Sequence, residues 1–489
     1  MVDVSILLQQ VTAAMAAPRH ATYRLQLGAA LGFEGVADLA PYLSALGVSD
    51  AYLSPCFKCG PGSSHGYDVT DHNAFNPEVG SAATFDRMAA ALAARGLGII
   101  LDIVPNHMGI AGDANPWWLD VLENGPSSPR AAFFDIDWTP VKPELRNTVL
   151  LPILPDQYGR VLEAQQLEIE LSEGAFFVRH AGARLPLCPD SYPQILTQRL
   201  ETLAERLHAE HAGLGELRSI LTTLEHLPGR IERHTSWINP NAGYDVAVGE
   251  FVTRLLAPGS PFLDAVRPFR ETVALYGAVN SLAQALLKIA APGVPDFYQG
   301  SELWDLSLVD PDNRRPVDFG RRQAMLDDLR RRIAEAADDL TALCAELLES
   351  WPVGMVKLYL THRALTLRRA RPRLFGLGAY LPLAATGERA EHVVSLARQD
   401  GPDVAVVAVP RLAAHLTGFT GRWPLGPDVW GTTRLSLGDP GLAGVYRDRF
   451  SGLRLVTESQ DGAPALPAMA LFAAFPVALL EREEARHER

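Results

Sequence analysis

Cysteine is scarce in this chain, with four in 489 residues. Cys56 and Cys59 form a CxxC, but no second pair follows at zinc-ligand spacing, and Cys188 and Cys344 stand alone. Neither a disulfide framework nor a zinc site is expected, and free thiols in a reducing compartment are. An excess of positive charge is also missing. The 44 Lys and Arg are outnumbered by 57 Asp and Glu, for a net charge of −13. Such a chain is repelled by phosphate backbones and anionic lipid, so no nucleic-acid and no membrane partner is expected, whereas a neutral substrate is compatible. No apolar run reaches the roughly 18 residues of a membrane span. The first residues include Asp3 and lack a basic stretch, and Gln9-Gln10 interrupts their short apolar run. A signal peptide is therefore not expected, and the location is read as cytoplasmic. Internal repeats and low-complexity tracts are lacking too.

Hydrophobic residues make up 47% and charged residues 21%, ordinary for a globular protein. The length suggests roughly two to four domains, or one large barrel with attachments. The first 110 residues alternate strand and helix signals. Ala21–Leu27 reads as a strand. Phe33–Leu46 carries apolar residues at helical spacing and stops at Gly47, a C-cap residue. Asp50–Pro55 is a second strand, Phe85–Arg95 a helix, and Leu97–Val104 an apolar run that reads as a buried parallel strand. This alternation predicts a parallel sheet or a (β/α) barrel. The rhythm is lost over 111–195, read as an irregular inserted subdomain with short β runs. Residues 196–228 read as two helices broken near Gly213 and Gly215, followed by helices over 244–256 and 270–290 and a strand over Gly293–Gln299. Arg321–Trp351 reads as one long charged helix. Val404–Val409 and Leu471–Leu480 are strand-like, which predicts a C-terminal β-rich domain. The boundaries are 1–110, 111–195, 196–350 and 351–489.

Active sites of (β/α) barrels lie at the C-terminal ends of the strands. Asp102, Asn106 and His107 fall at the end of the third strand, where they offer acceptors and donors to hydroxyl groups; alternatively, His107 is a satisfied core histidine. After the second strand comes Ser64-His-Gly-Tyr-Asp68. Tyr67 offers a ring to stack on a pyranose and Asp68 an acceptor for its hydroxyls, unless the segment is only a polar turn. Pro292–Glu302 runs as a strand into a loop that carries Gln299 and Glu302, followed by Leu303-Trp-Asp305 and Asp310-Pro-Asp-Asn-Arg-Arg-Pro-Val-Asp318. Asn313, Arg314 and Arg315 sit among acidic residues. The loop is either a solvated charged surface or a polar sugar-binding rim with Trp304 as its platform. Trp117, Trp118 and Trp237 add aromatic faces of the kind carbohydrate sites use, though single tryptophans more often pack in a core.

Together these segments resemble the α-amylase clan, and within it the malto-oligosyltrehalose synthases. The resemblance rests on Thr22-Tyr-Arg-Leu-Gln-Leu27, His65-Gly-Tyr-Asp68, Leu101–His107, Asn115-Pro-Trp-Trp118, Asp120–Ser128, Phe134-Asp-Ile-Asp-Trp138, His234–Pro240, Pro292–Glu302 and Asp310–Asp318. Lys357-Leu-Tyr-Leu360 and Gly378–Leu383 extend it toward the C-terminus. It implies an α-amylase-type barrel and a malto-oligosaccharide or α-glucan as substrate. The implied reaction moves the reducing-end α-1,4 linkage to an α,α-1,1 linkage, giving a terminal trehalose unit. It also implies a retaining mechanism, with a carboxylate nucleophile and a general acid about 5–5.5 Å apart. No organic cofactor is implied, and no acidic cluster marks a calcium site.

The chain departs from that pattern at its chemical centre. The family places its nucleophile in Gly-x-Arg-x-Asp on the fourth strand, its general acid on a Glu ending the fifth, and its third carboxylate in a His-Asp pair after the seventh. None is found. Gly452-Leu-Arg-Leu-Val456 has Val at the nucleophile position, and no His-Asp dipeptide exists in the chain. The sequence passes from about His226 to Ile231–Trp237, where the family carries a domain-sized stretch, so an internal deletion is inferred. The expected architecture is a partial (β/α)8 barrel retaining strands one, two, three and eight. Its open edges would pair in a homodimer or be covered by the helices of 196–228. No residue is assigned a catalytic role. Tyr67, Asp68, Asp102, Asn106, His107, Gln299, Glu302, Trp304, Asn313, Arg314 and Arg315 are assigned to substrate binding. Three readings follow: a synthase using other carboxylates, a non-catalytic α-glucan-binding remnant, and a decayed product.

Overall fold

A computed structural model of the chain describes residues 19–196, 241–308, 310 and 312–483. The helices expected beyond Leu196, the segment His234–Pro240 and its Trp237 lie outside the described residues. The chain divides into two compact units, one of Met1–Asn115 with Thr272–Arg489 and one of Pro116–Glu271.

The first unit is built on a four-stranded parallel sheet of β1 (Thr22–Leu25), β2 (Asp50–Leu53), β3 (Gly98–Leu101) and β4 (Asp296–Tyr298), in the order β3-β2-β1-β4. The register aligns Ile100 with Tyr52, Tyr52 with Arg24, and Arg24 with Tyr298. Side chains alternate along each strand, so one face collects Tyr23, Leu25, Ala51, Leu53 and Phe297, all buried. Against it packs helix α1 (Phe33–Leu46), which buries Phe33, Val36, Leu39, Tyr42, Leu43 and Leu46. That spacing is the helical stripe read from the sequence. The helix stops at Gly47, whose φ of +108° is a left-handed C-cap. A Cβ there would lie 2.9 Å from Leu365 Cβ, so the same residue permits both the turn and the close approach of a neighbouring helix. Helix α2 (Ala82–Ala93) begins three residues before its expected start because Ser81 and Thr84 form a capping box.

Several expectations are corrected. Leu97–Val104 is a parallel strand only over Gly98–Leu101, and it is not buried: Ile99 and Ile100 are half-buried and Leu101 is 39% exposed. It is the last strand of its sheet, with no neighbour beyond it among the described residues. Arg321–Trp351 is two helices, α4 (Phe319–Ala336) and α5 (Thr341–Glu349). They part at Ala337, whose φ is +53°. Leu471–Leu480 divides into the end of a short helix, Ala468–Leu471, and a strand, Ala478–Arg482. Helix α3 (Pro261–Ala290) is, by length and composition, long and apolar enough to cross a membrane. Its side chains from Leu275 to Ala290 include ten buried ones, which makes that half a core helix.

Helix α6 (Met355–Ala370) carries Arg368, 1% exposed. Its guanidinium donates to the carbonyls of His20, Ile289, Ala291 and Gly293. It thereby satisfies the end of α3 and fixes the lead into β4. Beyond α6, nine antiparallel strands form the C-terminal sheet. Its centre pairs Ala379–Thr386, Val393–Asp400, Asp403–Pro410 and Ala478–Arg482. The C-terminal region is β-rich as expected, and its strands form an antiparallel sheet. The second unit holds helices Pro116–Asn124 and Ala242–Leu255 and a three-stranded antiparallel sheet of Glu168–Ser172, Ala175–His180 and Ala183–Pro186.

One half-buried group on α6, His362, makes stability depend on pH. Burial, then the charges of Arg363 and Arg330, lower the His362 pKa to about 4 from its ordinary 6.5. Above pH 6.5 the ring is neutral whether the chain is folded or unfolded, and stability is full. As pH falls toward 4, the unfolded chain takes up the proton first, and up to about 3 kcal/mol is lost. Unfolding free energies at pH 7 and pH 4.5 will differ less in His362→Gln than in the parent, by about 2–3 kcal/mol. Equal pH slopes in the two proteins would disprove this assignment.

Candidate functional site

Parallel sheets are ordinarily covered on both faces. The second face of this one is polar and half-exposed. Arg24 lies over the Tyr52 ring, 4.1 Å from its centroid. Its Nη2 is 3.2 Å from Asp296 Oδ2, with the two side chains 34% and 40% exposed. Thr22 Oγ1 donates to Asp296 Oδ1 at 2.7 Å. The face therefore carries its charges as a pair, beside two tyrosine rings, Tyr52 and Tyr298.

At the C-terminal ends of the strands a second cluster forms. Tyr67 donates its hydroxyl proton to Asp102 Oδ2 at 2.7 Å. Burial and then that hydrogen bond push the Tyr67 pKa up to about 12, so it remains a donor throughout the neutral range. The exposed His107 contacts the Tyr67 carbonyl through Nε2 at 3.1 Å; it is not a core histidine. Asp68 accepts from Ser63 Oγ, and its Oδ1 lies 3.6 Å from His65 Nδ1. Two glycines make the turn possible. Gly66 has a φ of +76°, and a Cβ on Gly109 would lie 2.5 Å from the Asp68 carbonyl oxygen. Asn106 is exposed on the same loop.

The expected rim after β4 divides. Gln299, Trp304, Asn313 and Arg315 line one recess of about 150 Å³, together with Asp305 and Asp318. Gln299 is buried, its Oε1 taken by the Gln26 amide at 2.9 Å. Trp304 is not a free platform: its indole donates to the Trp351 carbonyl at 2.7 Å and its ring meets Trp351 edge-on. Arg314 pairs with Asp310 and Arg315 with Asp312, so the loop is laced internally by charge. Hydrogen bonds from Ser307 hold the Asp305 carboxyl below its usual range, against the opposing effect of burial.

Glu302 is a correction. It is 0% exposed, and its carboxylate accepts from Tyr23 at 2.9 Å and Tyr42 at 2.8 Å. Arg322 Nε stands 3.0 Å away, a charge contact whose N–H is not aimed at the oxygen. No part of Glu302 is left for a substrate; it ties β1, α1 and α4 to the end of β4. Trp117 and Trp118, in the second unit, pack on Phe133 and Phe134. All four cysteines are free thiols, and Cys59 accepts from Asn76 Nδ2 at 3.2 Å.

Arg24, Tyr52 and Tyr298 are site residues not singled out from the sequence. The signal for Arg24 was present: polar Thr22, Arg24 and Gln26 alternate with apolar Tyr23, Leu25 and Leu27. A parallel strand covered on both faces reads as a continuous apolar run, so the alternation marks a wet or polar face.

A parallel sheet with polar residues past its strand ends, followed by an antiparallel C-terminal sheet, is similar to the α-amylase fold. Residues 28–186 match the alpha amylase catalytic domain. The particular likeness is to the malto-oligosyltrehalose synthases, as the motifs indicated. Over 184 residues the chain is 45% identical to a putative maltooligosyl trehalose synthase of Mycobacterium tuberculosis, a stretch covering 36% of this chain and 22% of that protein. Over 108 residues it is 38% identical to the intracellular maltogenic amylase of Bacillus subtilis, covering 22% of this chain and 18% of the relative. The matched part thus spans about a fifth of these relatives. The maltooligosyltrehalose synthase structure from Arthrobacter ramosus shares the fold, with a TM-score of 0.71 at 20% identity over 95% of this chain and 100% of that one.

Proposed function

We propose that this chain is a malto-oligosyltrehalose synthase homologue, acting inside the cell, that keeps an α-1,4-glucan-binding face and isomerises its ligand weakly or not at all. β1, β2, β3 and β4 correspond to the first, second, third and eighth strands of an eight-stranded barrel, and the strands between are deleted. The parallel order β3-β2-β1-β4 supports this, since those four strands are consecutive around such a barrel. The observation that carries the binding function is the Tyr67–Asp102 hydrogen bond at the strand ends, beside the polar sheet face. A tyrosine ring with a fixed hydroxyl and nearby carboxylates is what a pyranose needs for stacking and hydroxyl recognition. Weak or absent isomerisation is supported by the sequence: the nucleophile, general acid and third-carboxylate motifs expected of the family are missing, and the retaining reaction needs two opposed carboxylates.

Titration with maltopentaose, followed by tryptophan fluorescence, will saturate. Tyr67→Ala removes both the ring and the donor and will weaken binding by roughly 10–100-fold. Failure of the parent protein to bind maltopentaose at millimolar concentration would overturn the binding function.

A further inference from the structure

We infer that the open parallel sheet is half of a closed barrel completed by a second copy of this chain. Among the described residues β3 pairs only with β2, and β4 only with β1, so the sheet has two free edges. Their backbone groups are oriented for pairing. The amides of Gly98 and Asp102 are used toward β2, donating to Ser49 and Leu53. The period of two then turns those of Ile99 and Leu101 to the open side. At the other edge Gln299 donates to Arg24, which turns the amides of Asp296 and Tyr298 outward. Apolar side chains stand exposed along both edges: Leu101 is 39%, Ile103 60% and Val294 48% exposed. Unmanaged edges of this kind are a liability in a folded protein.

A second copy fits this surface by number and direction. Two sheets of four parallel strands make eight, the number at which a parallel barrel closes around an interior filled by side chains. A two-fold axis parallel to the strands leaves strand direction unchanged. It sets β3 of one copy beside β4 of its partner in parallel, and repeats the contact on the opposite side. Both free edges of both copies are then paired, and the symmetry is closed, so assembly stops at two. The polar sheet face becomes the barrel interior. Its charges suit that position, because Arg24 and Asp296 are already paired within each copy. Two facing sheets would therefore bring together neutral pairs rather than like charges.

The experiment is light scattering and sedimentation of the full chain, with two edge variants. The parent will run at twice the mass of one chain at about 10 μM. Ile99→Pro removes an amide that β2 does not use and blocks an incoming strand, as proline does on edge strands. Leu101→Lys places a charge at the same seam and decides the matter if the proline variant misfolds. Either folded variant will be monomeric at the concentration where the parent is a dimer, with far-ultraviolet circular dichroism unchanged. A monomeric parent overturns the inference, as it would if another segment of the same chain covered the edges. A dimer that both folded variants leave intact overturns it as well, because its interface lies elsewhere.

Discussion

Glu302→Ala will lower the unfolding free energy by about 3–5 kcal/mol, the cost of breaking a buried pair from one side. The carboxylate has no exposure, and three groups on separate elements converge on it: Tyr23 from β1, Tyr42 from α1 and Arg322 from α4. Burial, then the negative charge of Glu302, raises both tyrosine pKa values well above their ordinary value, so both hydroxyls stay protonated and donate. Removing the carboxylate leaves two buried hydroxyls without their acceptor and Arg322 without its counter-charge. Arg322 keeps its hydrogen bonds to the carbonyls of Gly300 and Asp318, which moderates the loss. Glu302→Gln preserves the shape and one acceptor, and its cost will fall between zero and that of alanine. Urea denaturation at pH 7 measures both. A loss below about 1 kcal/mol for the alanine variant would show that the network contributes little.

Maltopentaose will keep its reducing ends in the presence of the protein. On the proposed function, the rate of their loss will lie roughly 10⁴-fold or more below that of an intact synthase, the scale on which loss of a covalent catalytic group acts. The carboxylates nearest the strand ends do not form a visible substitute. Asp102 accepts from Tyr67, Asp296 is tied to Thr22 and Arg24, and Glu302 is sealed in the core. Retaining chemistry needs one carboxyl to attack and another to protonate the leaving oxygen. Turnover within about 100-fold of an intact synthase would mean that two other carboxylates perform these roles and would end the non-catalytic interpretation.

Much of the fold could be read from local pattern. The stripe Phe33, Val36, Leu39, Leu43, Leu46 and the stop at Gly47 located α1 to the residue, because helical spacing and a left-handed cap are properties of adjacent residues. The split of Arg321–Trp351 was not readable, since no Gly or Pro marks Ala337, whose positive φ depends on what packs around it. The exposure of β3 was missed for a similar reason. Its Gly98-Ile-Ile-Leu101 has the composition of a central strand, and only the sheet order shows that it lies at an edge.

The site divided along the same line. Tyr67, Asp68, Asp102, Asn106 and His107 were singled out because they fall in the loops after the second and third strands, in short motifs of residues adjacent in sequence. Glu302 was assigned to the substrate because it follows β4 just as those residues follow their strands. Its partners are 279, 260 and 20 residues away along the chain, beyond the reach of a motif. Sequence alone determined the alternation of strands and helices, the likeness to the malto-oligosyltrehalose synthases and the absence of their catalytic motifs, since each is written in contiguous residues. Tertiary structure alone decided which polar groups are sealed in the core and which face the open side of the sheet, because burial and strand order are set by contacts between distant segments.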